Sequence, residues 1–158
     1  VMLPQSVLLA VIWYVTALWL RAARPDAQRA SNTALVAGIV GALALIVYVS
    51  YLASNDPFYE VMRRYGIYVY YVATAIAQIA VSLALPPSRL RRLMLGIMVT
   101  PFVLGLANFV QKAVLPEPDN IENVIEWIVS LLMQLWFVAL WVAWRRSGLS
   151  LTVRARFS

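Results

Sequence analysis

Apolar residues run through this chain in five long stretches, with polar and basic residues crowded into the gaps between them. The stretches cover about 3–20, 33–53, 65–85, 93–115 and 124–144. A helix that crosses a bilayer needs about 20 mostly apolar residues. Each stretch meets that length, the first only narrowly. The pattern therefore predicts an all-α integral membrane bundle of about five transmembrane helices.

The gaps supply the stop signals. Arg21 ends the first stretch, Pro86-Pro87 the third, Pro116 the fourth and Arg145-Arg146 the fifth. Ser31 and Asn32 are expected to cap the second helix, since short polar side chains accept from the free amides of a first turn. Asp119, Asn120 and Glu122 read as the acidic start of the fifth, favoured by its dipole. Residues 1–146 are then one five-helix transmembrane domain and 147–158 a basic cytoplasmic tail. The apolar start has no basic leader and no small-residue cleavage site, so it is expected to stay as the first helix.

Composition agrees with the pattern. The chain has 158 residues, 63% hydrophobic and only 13% charged. A soluble domain is typically about 45–50% apolar and about 25% charged. The surplus needs lipid as its solvent.

Charge gives a direction to the bundle. Ten of the 13 basic residues fall at one end: Arg21, Arg24, Arg29, Arg89, Arg91, Arg92, Arg145, Arg146, Arg154 and Arg156. Asp26 is the one acid beside them. The positive-inside rule places this end in the cytoplasm and the N-terminus outside. The expected home is a prokaryotic plasma (inner) membrane, crossed several times. Arg89, Arg91, Arg92, Arg145 and Arg146 are expected to meet lipid head groups. The net charge of +6 sits at the ends of apolar stretches, not along a basic helix, so nucleic acid is not an expected partner. Tyr48, Tyr51, Phe58, Tyr59, Tyr65, Tyr68, Tyr70 and Tyr71 gather toward the outer interface, and Trp19, Trp141 and Trp144 toward the inner one, as anchoring rings do.

Chemistry is sparse. The chain has no cysteine and no histidine, which excludes disulfides, thiol catalysis, and haem or zinc sites built on those residues. No Asp, Glu, Lys or Arg lies near the middle of any stretch, so proton relays and voltage sensing are not expected. No carboxylate pair lies within a stretch. Asp56 and Glu60 are a helical turn apart, but in a gap. The expectation leans against an enzyme, and no metal or cofactor is expected.

Two features remain. Ala34, Gly38 and Ala42 put small residues on one face of the second helix, where another backbone can approach closely. This face suits packing within the chain or a homo- or hetero-oligomer contact through helix two. Tyr71, Thr74, Gln78 and Ser82 form a polar stripe on the third helix, and Glu126, Ser130 and Gln134 another on the fifth. The fourth carries Thr100, Pro101, Gly105, Asn108 and Gln111. Polar groups avoid hydrocarbon, so these stripes should face one another in a seam. The seam is either interhelical hydrogen bonding, worth about 0.6 kcal/mol per contact, or a binding site. For a small amphipathic ligand, Tyr71, Thr74, Gln78, Asn108, Gln111, Glu126, Ser130 and Gln134 are the candidate residues. The leading expectation is a non-catalytic accessory or self-associating subunit of a membrane complex. The alternative is a small transporter, channel or binder that uses the seam.

Overall fold

The computed structural model describes residues 2–51, 57–114 and 119–148. It contains five long helices: α1 (Met2–Ala23), α2 (Gln28–Ser50), α3 (Pro57–Ala84), α4 (Arg89–Val114) and α5 (Asp119–Ser147). A single 3-10 turn, Pro25–Ala27, joins α1 to α2. No strand occurs among the described residues.

Every helix begins before its apolar stretch. The stretch marks what is soluble in lipid, whereas the backbone ladder runs on into the interface, where polar side chains cost nothing. At 22 residues and about 1.5 Å per residue, α1 is about 33 Å long, enough to cross the hydrocarbon layer. Pro57 opens α3, where a missing amide does no harm. Pro101 lies inside α4.

The start of α2 departs from expectation. Ser31 and Asn32 do not cap it, because the helix already begins at Gln28. Both side chains serve the junction with α1 instead. Ser31 Oγ donates to the carbonyl of Ala17 at 2.9 Å. Arg21 donates from Nε to Ser31 Oγ (3.1 Å) and from Nη2 to Asn32 Oδ1 (2.9 Å). The supposed loop of residues 21–32 is thus little more than one tight turn.

Neighbouring helices pack in chain order, α1 on α2, α2 on α3, α3 on α4 and α4 on α5. Side chains of α5 also return to α1 and α3. Trp13 of α1 lies against Trp136 and Phe137 of α5, with ring centroids 5.9 and 5.5 Å apart. Ala34, Gly38 and Ala42 are all buried inside the chain. The Trp13 indole lies directly over Gly38, so closely that a Cβ there would overlap it. At Gly41 a Cβ would come 2.8 Å from Thr74 Oγ1. The small-residue face of α2 is therefore consumed by α1 and α3, and the large apolar residues of α2 left outside are Val36, Val40, Leu43 and Val47.

The core is mostly apolar, but so is the surface, unlike that of a water-soluble protein. Ser6, Thr16, Thr74, Gln78 and Ser82 are fully buried, while Val7, Leu8, Val36, Leu43, Val72, Leu131 and Val138 are exposed. Large apolar surface outside and polar groups inside suit a hydrocarbon surround. Four helical segments among the described residues are long and apolar enough to cross a membrane: Leu3–Ala23, Pro25–Ser50, Tyr65–Ala84 and Trp127–Ser147. The chain is a multi-pass helical membrane protein on this ground. The side chains of α4 are described only in part and it is not among the four, although residues 93–111 carry no charge.

Candidate functional site

The polar stripes of α3 and α5 do meet. Tyr71 Oη and Ser130 Oγ lie 2.8 Å apart, joined by a hydrogen bond across the two helices. This pair sits on the wall of a cleft of about 520 Å³, which Gln134 also lines. Three of the candidate residues, Tyr71, Ser130 and Gln134, therefore share one site.

Further along α3 the stripe turns inward and closes. Gln78 Nε2 donates to the carbonyl of Met133 at 3.2 Å, and Ser82 Oγ donates to the carbonyl of Gln78 at 2.7 Å. Trp136 Nε1 in turn donates to Ser82 Oγ at 3.0 Å. Thr74, Gln78 and Ser82 are fully buried, so here the seam is packed protein that ties α3 to α5. The satisfaction is incomplete. Among the described residues, Thr74 Oγ1, Gln78 Oε1 and Trp13 Nε1 are buried without a hydrogen-bond partner. An orphaned buried polar group costs about 1–3 kcal/mol, so these atoms hold hydrogen-bonding capacity at the heart of the bundle.

The remaining candidates fall elsewhere. Thr100, a polar residue of α4 outside the candidate set, is exposed, donates to the carbonyl of Gly96 at 2.9 Å and does not line the cleft. Asn108, Gln111 and Glu126 have side chains outside the described residues. So do Arg63, Arg64, Asp56, Glu60 and the acids of residues 117–122, and the tail 149–158 lies wholly outside them.

The cleft has walls that the stripes did not announce. Gln5 comes from α1, and Leu45 and Tyr48 from α2. Ile67 and Tyr70 extend the α3 side, while Trp127 and Leu131 extend that of α5. Gln5 was visible as a lone amide in an apolar run, a signal that usually marks a polar pathway or interior. Tyr48 and Tyr70 read as members of the anchoring belt. Tyr70 and Tyr71 pack ring to ring, with centroids 5.2 Å apart. None of the described lining residues carries a charge. The cleft therefore offers amide and hydroxyl groups beside aromatic and aliphatic surface, a setting for neutral and partly apolar molecules.

The arginines assemble at the opposite end. Trp19 Nε1 of α1 donates to Ser147 Oγ of α5 at 3.0 Å, which holds the C-terminal ends of these helices together. Arg89, Arg91 and Arg92 open α4, and Arg145 and Arg146 lie in the last turn of α5. Arg145 stacks over the Trp141 ring at 5.0 Å, and Arg91 Nη1 donates to the carbonyl of Leu85 at 3.2 Å. Comparison with the models of known families, with curated proteins and with solved structures finds no match to this chain.

Proposed function

We propose that this chain is a non-catalytic membrane protein that binds an uncharged amphipathic molecule in the cleft between α1, α2, α3 and α5. The observation that carries the reading is the lining: three tyrosines, two glutamines and a serine beside apolar surface, with no charge, around about 520 Å³. Ligand sites of this kind are mostly apolar with a few placed polar groups, and run to about 300–1,000 Å³. The cleft lies on the half of the bundle away from the arginines, so a ligand would enter from the outer half of the bilayer. The same reading takes α4 as a fifth span, the N-terminus as outside and the arginine end as cytoplasmic, in a prokaryotic plasma membrane.

A role as an accessory or self-associating subunit is the weaker reading. It leaned on the small-residue face of α2, and that face is occupied by Trp13 and Thr74 of the same chain.

The test uses Trp127, which lines the cleft. Protein in phosphatidylcholine nanodiscs is titrated with a dibrominated monoacylglycerol, whose bromines quench nearby indoles. Saturable quenching is expected, with the saturable part lost in Trp127→Phe. Gln134→Leu should weaken apparent affinity about fivefold, the worth of about one hydrogen bond. Quenching that rises without saturation, equally in wild type and Gln134→Leu, would reduce the cleft to a lipid-facing surface.

A further inference from the structure

A second cavity lies at the arginine end, about 500 Å³ in volume, where α1, the α3–α4 turn and α5 converge. Its size follows from small residues: Ala22, Ala23 and Ala143 stand where larger side chains would fill it. Trp19 and Leu90 give it apolar walls, and Arg24 and Arg146 line it together with Ser88.

Arg24 and Arg146 are the two arginines that line this cavity. Arg21 is engaged by Ser31 and Asn32, Arg91 by the Leu85 carbonyl, and Arg145 by the Trp141 ring. Arg146 is exposed and makes no ion pair among the described residues. Arg24 is half committed. Its Nε and Nη2 donate to Asp26 at 3.0 and 2.8 Å, and Nη1 is left for another acceptor. Ser88 Oγ accepts the amide of Arg91 at 3.1 Å at the start of α4. That helix has three arginines and no acid in its first turn, so its positive dipole end has no counter-charge from the helix itself. Asp26 is the one acid at this end and it faces Arg24, so the site as a whole remains cationic.

We infer that this cavity is a binding site for the head group of an anionic phospholipid, with the phosphate between Arg24 and Arg146 and the glycerol region against Trp19 and Leu90. A lipid fits better than a free anion because the walls are apolar and the site lies beside indoles, at the depth where the hydrocarbon ends. The site is independent of the outer cleft and does not rest on its occupant.

The experiment is native mass spectrometry of the purified full chain with added phosphatidylglycerol or phosphatidylcholine. Phosphatidylglycerol adducts should predominate. Arg24→Ala with Arg146→Ala should lower them about tenfold, in line with two lost arginine contacts. Arg89→Ala with Arg92→Ala removes the same charge from the same end, outside this cavity, and should cost no more than about threefold. Asp26→Asn should strengthen the preference by releasing Arg24. Ala22→Leu starts from an exposed position on the cavity wall. It fills space without changing charge, so it should lower the adducts even if the double arginine variant fails to fold. Equal binding of the two lipids overturns the inference. So does an equal loss in the two double variants, full retention in Ala22→Leu, or displacement of the lipid by inorganic phosphate, which would make this a site for a free oxyanion.

Discussion

Gly38 and Gly96 share a chemistry and differ in surroundings. A Cβ on Gly38 would overlap the indole of Trp13, which is fully buried and has no room to swing aside. A Cβ on Gly96 would meet nothing within 4 Å. Alanine improves the intrinsic helix preference of either site by roughly 0.5–1 kcal/mol. At Gly38 an overpacking cost of about 1–3 kcal/mol outweighs that gain. Gly38→Ala should therefore lower the thermal midpoint in a given detergent, and Gly96→Ala should leave it unchanged or raise it. Equal midpoints would mean that α1 does not lie over α2 as described. The close approach at Gly38 was legible in the spacing of Ala34, Gly38 and Ala42. The partner was not, because Trp13 and Tyr14 look alike inside an apolar run, yet one is fully buried and the other 55% exposed. In lipid an aromatic ring is soluble on either side of a helix, so hydropathy does not separate the two.

Helices carry the next level of argument, since their junctions decide which polar stripes can meet. Arg21, Ser31 and Asn32 clip α1 to α2 across a single 3-10 turn. Hydrogen bonds from a charged donor contribute about 1.5–3 kcal/mol when well formed, and less where water competes. Arg21→Met should cost about 1 kcal/mol of unfolding free energy, read from denaturation in mixed micelles. Arg29→Met is the control, because it removes a charge from the same region where the arginine makes no hydrogen bond among the described residues; it should be nearly neutral. If both variants behave alike, the clip contributes only charge. Sequence spacing led to a different role for Ser31 and Asn32, as caps, because a short polar side chain before an apolar run satisfies the same local rule whether the helix starts there or three residues earlier. The pairing of α3 with α5 through Tyr71 and Ser130 was legible, as both stripes are periodic. That α1 and α2 complete the cleft was not, since periodicity fixes which face of a helix is polar and says nothing of which neighbour covers it.

For the molecule as a whole, the controlling fact is that its surface is as apolar as its core, while a few polar groups are held inside. Gln78 is fully buried while Leu131 is 60% exposed. The number of crossings then decides where the arginines lie. The chain contains no cysteine, so single cysteines report position without background. Gln28→Cys stands at the first residue of α2, Pro87→Cys follows α3, and Gly148→Cys follows α5. Val61 is exposed near the start of α3, at the other end. With five crossings, a membrane-impermeant maleimide should label Gln28→Cys, Pro87→Cys and Gly148→Cys from the cytoplasmic side and Val61→Cys from outside. The comparison of Pro87→Cys with Gly148→Cys bears on α4 alone, because α5 contains a segment apolar enough to cross on its own. Labelling of these two from opposite faces would leave α4 lying along the membrane. The arginines of the last α5 turn would then sit across the bilayer from those that open α4, and Arg146 could not share a cavity with Ser88.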